Sequence, residues 1–266
     1  MRQGRISRFN TPERPRSMKK LAIAALLLAA ALPSFAADPT RCPYPWGYTV
    51  NNGPDRWGEY FPICASGLSQ SPVKINNLLP NPANLAALVF EGGPSRFRVK
   101  NNQVDLEVYP ENDWTLKQFE AKLKKFEAKL KKFHFHVPAE HIDGNTQHAA
   151  EAHFVYELGD QIFAIAVWID AGPSNAALQK IAAVPRPGLC LMSPLSTSTL
   201  NITDFLRNKN RYAAYRGSLT TPPCSENVTF FIMLDPITAT TTQINALKVA
   251  PPPGNARPVQ QTKWRR

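Results

Sequence analysis

Five histidines occur in 266 residues, at positions 134, 136, 141, 148 and 153. Three of them fall in FHFHVPAEH (133–141), and EAHFVY (151–156) carries a fourth. If FHFH is a strand, His134 and His136 share one face, because strand side chains alternate with period two. Phe133 and Phe135 then turn to the opposite, apolar side. EAHFVY reads as a second strand that delivers His153. Two imidazoles from one strand and one from its neighbour make three neutral nitrogen ligands with a fourth position open. That donor set belongs to catalytic rather than structural zinc. An HxH pair alone is a weak metal signal; Glu140, Glu151 and the export signal described below strengthen it. His148, in the polar turn DGNTQH, reads as a solvated surface histidine, and His141 as a hydrogen-bonded structural one.

The elements that must position these rings are short, alternating and rich in β-branched and aromatic residues: LAALVFEG, SRFRVKN, VDLEVYP, QIFAIAVWIDAG, NVTFFIML. Twenty-five prolines and many Asn/Gly/Ser clusters separate them. The pattern predicts a mainly β protein, a single domain with a large, mostly antiparallel central sheet and short surface helices. Amphipathic helices are confined to about 175–183 and 240–249.

The N-terminus reads as a processing segment. MKKLAIAALLLAAALPSFAAD starts at Met18 with two lysines, an apolar run over 21–32 and Ser34-Phe35-Ala36 as a small-x-small cleavage site. That run is short for a membrane anchor, so residues 1–37 are expected to be a signal peptide with an N-terminal extension. The mature domain is then 38–266, in the periplasm. Residues 1–37 hold seven Lys/Arg and one Glu, so the formal +11 falls to +5 on maturation. Residues 120–133 hold six Lys and two Glu, which is +4 of that remainder. The rest is near neutral, with no basic face bearing aromatics, which excludes nucleic acid as a partner. Four cysteines after an export signal permit disulfides. None are spaced as CxxC, and three pairings are open.

Taken together, WGYTVNNGPDRW (46–57), GLSQSPVKI (67–75), FHFHVPAEH (133–141), EAHFVY (151–156), YRGSLTTPPCSENVTF (215–230) and NARPVQ (255–260) resemble the α-class carbonic anhydrases of the bacterial secreted type. The motifs occur in family order across nearly the whole mature chain. The resemblance implies Zn2+ held by His134, His136 and His153. It implies that Thr220 accepts the proton of zinc-bound hydroxide and donates to Glu140, while its backbone N–H meets a substrate oxygen. Thr221 lies beside the substrate, Glu151 orients His153, the Asn255 carbonyl serves His136, and Gln118 accepts from His134. Val155, Leu219 and Val228 form the apolar wall of the CO2 pocket, and Tyr48 joins the cavity's hydrogen-bond network. Cys64 pairs with Cys224, leaving Cys42 and Cys190 for a second disulfide. The implied activity is reversible hydration of CO2 to bicarbonate and a proton, and a homodimer is compatible with it.

Two features depart from the family pattern. A histidine after an NNG-like turn commonly relays the proton outward; here KNNQVDLEV puts Gln103 at or beside that position, and an amide does not titrate near neutral pH. The second is a tandem heptad, FEAKLKKFEAKLKK, that interrupts the strand next to a ligand and forms a Lys-rich insert at 119–133. As a helix it aligns Phe119, Leu123, Phe126, Leu130 and Phe133 on one stripe. It is expected to leave the sheet as a loop or helical excursion. The rival reading is a catalytically weak binding domain whose basic amphipathic insert docks to a membrane or partner. Fourteen is an even number, so a strand that slides by the insert keeps every side chain on its face. Lys132 then replaces Gln118 beside His134; otherwise Gln118 stays and the excursion closes on itself.

Overall fold

The computed structural model describes residues 42, 44–75, 87–120, 123–249 and 254–261; the leader expected over 1–37 lies outside them. Two single-turn helices, α1 (Trp57–Tyr60) and α2 (Ile63–Ser66), precede the sheet. The strands are β1 (Ala87–Glu91), β2 (Ser95–Asn101), β3 (Leu106–Pro110), β4 (Thr115–Glu120), β5 (Leu123–His136), β6 (Ile142–Asp143), β7 (Thr146–Gln147), β8 (Ala150–Leu158), β9 (Gln161–Ala171), β10 (Thr199–Leu200), β11 (Tyr212–Gly217) and β12 (Val228–Ala239). Helices α3 (Ala176–Ala182) and α4 (Thr241–Leu247) sit where the amphipathic pattern puts them. Asn175 caps α3 by accepting from the amides of Ala177 and Leu178, and Thr240 with Gln243 forms a capping box on α4.

The main sheet runs β10-β2-β3-β5-β8-β9-β12-β11, with β4 paired to both β5 and β1. All pairings are antiparallel except β12 with β9. The protein is therefore mostly β, with a mixed sheet in which antiparallel pairing dominates. One face packs a large apolar cluster that includes Phe133, Phe135, Phe154 and Tyr156, together with Leu178 and Leu247 from the two helices. The other face carries the histidines and a smaller cluster of Ala164, Ala166, Trp168, Phe230 and Ile232. Phe133 and Phe154 stack across β5–β8 with ring centroids 4.6 Å apart, which locks the register that aligns His134 with His153.

The duplication does not leave the sheet, contrary to the expected loop or helix. Its residues extend β5 to fourteen and pair with β4, from Thr115 opposite Lys129 to Glu120 opposite Leu123. The reason is legible in FEAKL: Phe126, Ala128 and Leu130 alternate with Glu127 and Lys129, as period-two strand packing requires. Ala128 is fully buried, and Phe126 stacks on Phe163 at 4.1 Å. From Leu130 to Phe133 the spacing is three, which a regular strand would send to opposite faces. A bulge between Leu130 and Lys132 in the β5–β8 ladder absorbs the extra residue, so both face the apolar cluster.

The strand has thus slid by the length of the insert, and Lys132 occupies the place next to His134. Gln118 is removed from that neighbourhood. It lies on β4 opposite Phe126, on the apolar face of the sheet, where its Nε2 donates to Tyr212 Oη at 3.4 Å. The assignment of Gln118 as acceptor for His134 is corrected accordingly: alternation puts it two residues from buried Leu116 on the face away from the histidines.

Candidate active site

His134 and His136 project from the end of β5, and His153 from β8 directly opposite His134. All three rings are buried or nearly so, and one nitrogen of each lies within 4.8 Å of the others'. Hydrogen bonds decide which nitrogen faces inward. His136 Nδ1 lies 2.8 Å from the Asn255 carbonyl oxygen, so its Nε2 is the nitrogen that faces the cluster. His153 Nε2 lies 2.8 Å from Glu151 Oε1, which leaves its Nδ1 for the cluster. His134 Nε2 stands 3.1 Å from His136 Nε2. Glu151 is held by more than one ring: its Oε2 accepts from the amides of Glu140 and His141, and its Oε1 sits 2.6 Å from His141 Nδ1.

Burial pushes His136 down to about 3, helped by its neighbour His153, and pushes His134 well below the usual imidazole range, helped by His136 and His153. Both rings are therefore neutral and offer lone pairs at physiological pH. Burial acts the other way on Glu151, but His141 and His153 outweigh it and keep the carboxyl well below its ordinary value. Glu140 is raised to about 7 by burial, opposed by His153, the Arg257 amide and the Thr220 hydroxyl. Its Oε1 accepts the Arg257 N–H at 2.8 Å. Its Oε2 is buried without a hydrogen-bond partner among the described residues, 3.3 Å from His136 Nε2 and 3.9 Å from His153 Nδ1.

Three imidazole nitrogens gathered within 4.8 Å of one another, beside a carboxylate oxygen without a hydrogen-bond partner among the described residues, fit a divalent cation of borderline softness. His134, His136 and His153 could hold the metal, with Glu151 and Asn255 fixing two of the rings from behind.

Thr220 is nearly fully buried, and its hydroxyl acts on Glu140; Thr221 follows it, half-buried. Leu219 and Val228 pack together, Leu219 pinned by its amide bond to the Ser225 carbonyl at 3.0 Å. Val155 follows His153 on the same face of β8, opposite Ala164 and Lys132. Tyr48 is driven well above the ordinary tyrosine range by burial and then by Glu140 and Asp105. A cavity of about 590 Å3 reaches Glu140 between Tyr48 and Arg257, and none of the three rings lines it. Both disulfides are formed, Cys64–Cys224 and Cys42–Cys190.

Around the cluster, His141 is the hydrogen-bonded structural histidine expected from the sequence, while Tyr215, Ser71, Asp105 and Glu107 enter without having been singled out there. His141 Nε2 meets Tyr215 Oη at 2.6 Å, and Tyr215 donates to Ser71 Oγ, which also accepts the Ser218 amide. His148 is buried rather than solvated: it stacks on Trp168 at 4.5 Å and its Nδ1 sits 2.8 Å from Asp170 Oδ1. Asp105 and Glu107 are buried beside Lys132, and the alternation of VDLEVYP, with Leu106 and Val108 apolar, already places both acids on one face. Gln103 adopts φ 84, a left-handed turn conformation, and its Oε1 accepts the Tyr44 amide.

The family model for eukaryotic-type carbonic anhydrase matches residues 52–266. A carbonic anhydrase of Pectobacterium carotovorum is 31% identical over 92% of this chain and 97% of its own length. One from Neisseria gonorrhoeae is 36% identical over 84% of this chain and 85% of its own. The α-carbonic anhydrase structure from Photobacterium profundum superposes with a TM-score of 0.73 at 33% identity, covering 82% of this chain and 97% of that one. With the family model matching residues 52–266, these relatives and the shared fold, the chain belongs to the α, or eukaryotic-type, carbonic anhydrase family and is a carbonic anhydrase.

Proposed function

We propose that the protein hydrates CO2 by a zinc-dependent route in the periplasm, with His134, His136 and His153 as ligands. The observation that carries this reading is the convergence of three imidazole nitrogens beside Glu140 and Thr220. Zinc, when bound, lowers the pKa of a coordinated water from ~15.7 to about 7, which makes a nucleophile available near neutral pH.

The remaining roles fall to the chain itself. Glu140, anchored by the Arg257 amide, accepts a hydrogen bond from the Thr220 hydroxyl, which leaves the Thr220 oxygen as an acceptor for the nucleophile. That fixes the direction of the nucleophile's proton and turns a lone pair toward carbon. Val155, Leu219 and Val228 present an apolar side suited to a substrate without net charge or dipole, with Thr221 at its edge. Tyr48 adds a hydroxyl near Glu140. Each turnover releases a proton. Gln103 cannot carry it and its side chain is engaged with Tyr44, so turnover depends on buffer as the acceptor.

The docking reading of the insert finds less support. Three of its six lysines pair with acids of this protein: Lys129 with Asp113, Lys131 with Glu157, Lys132 with Glu107. The weak-binder reading keeps one specific support, the Nδ1 of His134, which has no partner among the described residues.

The test is stopped-flow CO2 hydration by the zinc-loaded chain from residue 38, beside a variant lacking 120–133, in weak and strong buffer. Turnover by the parent that rises with buffer concentration is expected. An inactive parent that retains no zinc overturns the reading, and an inactive parent with an active deletion variant points to a binding role. Equal rates in both buffers refute the missing relay.

A further inference from the structure

One atom of the histidine cluster is unaccounted for. His136 and His153 each have a partner on the nitrogen that faces away from the cluster, whereas His134 Nδ1 is buried with none among the described residues. Directly opposite His134 in the β3–β5 ladder stands Glu107. Opposed residues of an antiparallel pair share a face, with Cβ atoms about 4.5–5.5 Å apart. The Glu107 side chain is 2% exposed, so its carboxylate must find its partners within the protein. Its Oε2 accepts the Tyr109 hydroxyl at 2.8 Å, and its Oε1 is taken by Lys132 Nζ. Lys132 precedes His134 by two residues on the same face, and reached that place through the slide of the duplicated segment.

We infer that Glu107 is the acceptor suited to orient His134 and that Lys132, installed by the heptad duplication, diverts it. The inference rests on the zinc reading of the site. An ammonium forms a charge-assisted bond with a buried carboxylate and outcompetes a neutral imidazole N–H for the same oxygen. Lys132 cannot substitute as the acceptor, because an ammonium has none to offer. Its charge also adds to the neighbouring rings in disfavouring any positive character on His134, a lesser contribution than burial. The ring nearest the insert is thus the least well held of the three. Ligand orientation by an outer partner commonly governs metal affinity 10–100-fold. Glu107 and Lys132 are positioning residues in this account, acting on the metal only through His134.

The experiment compares zinc affinity, by chelator competition, among the parent, Lys132→Met and the double variant Lys132→Met/Glu107→Leu. It adds imidazole nitrogen and proton NMR of the zinc-free proteins. Lys132→Met is expected to bind zinc about 10–100-fold more tightly. The double variant is expected to lose that gain. In zinc-free Lys132→Met, a slowly exchanging His134 Nδ1–H resonance with a contact to Glu107 should appear that the parent lacks. Unchanged affinity in Lys132→Met, or a gain that persists in the double variant, overturns the proposal. If neither parent nor variants hold zinc, the zinc reading itself falls. The zinc-free NMR then still decides the pairing: no protected His134 Nδ1–H in Lys132→Met refutes it. The same NMR on Lys132→Met serves if the double variant does not fold.

Discussion

The two halves of β5 obey one alternation and use it differently. Toward its C-terminus, Phe133 and Phe135 are fully buried on one face while His134 and His136 occupy the other, and both faces lie inside the protein. Toward its N-terminus, Phe126, Ala128 and Leu130 continue the apolar face, but Glu127, Lys129 and Lys131 look outward to other surface charges. The same sequence grammar therefore makes a platform of buried histidines where the strand is central and a plain amphipathic strand where it is peripheral. What differs is the neighbour: β3 and β8 flank the histidines, whereas β4, itself held by β1, flanks the repeat. A duplicated segment could enter the sheet because it brought its own alternation and an even residue count.

The sharpest way to break the comparison is in the core. Phe133→Ala should cost about 3–5 kcal/mol of unfolding free energy, since its ring is fully enclosed by Trp114, Phe154 and Phe205. Phe126→Ala, on the half-buried repeat ring, should cost about half of that. Urea unfolding of both variants measures it, and equal losses would show that the repeat is as integral to the core as the ligand strand.

A second contrast lies in pH. Burial and the adjacent Glu107 push Asp105 up to about 8 from its ordinary 3.8, against the pull of Lys132 and Asn102. Between those values the folded chain holds a proton that the unfolded chain has released. The Asp105 contribution thus turns against folding as pH rises through that interval, and the full penalty is reached above pH 8. Asp105→Asn should leave stability little changed near pH 4 and raise it at pH 9, by an amount on the order of a few kcal/mol. Denaturant melts at the two pH values read the difference, and a gain independent of pH would refute the assignment.

The smallest effect belongs to the outer face of the repeat. Lys129 and Asp113 form a pair 2.8 Å apart, with side chains 63% and 71% exposed. Lys129→Ala should change stability far less than either aromatic substitution, because solvent screens an exposed ion pair. A larger loss in the same urea series would mark this pair as part of what holds the hairpin in the sheet.

The sequence by itself determined which histidines share a face and the fold class. HxH on a strand can only put both rings on one side, and period-two alternation of apolar residues identifies the sheet without reference to its partners. It also placed α3 and α4, whose stripes and caps are local. Three features were decided by tertiary structure. FEAKLKK satisfies both a helical stripe and a strand alternation over its first five residues; the waiting edge of β4 and the bulge before Lys132 chose the strand. Gln118 and Lys132 were rivals for one place until the ladder register was set, because sequence distance from a ligand does not reveal which copy of a repeat pairs with β8. His148 looked exposed among polar neighbours, and only the packing of Trp168 from β9 across the sheet buried it. Local pattern fixes which way a side chain points, but what stands in front of it comes from strands distant in the chain.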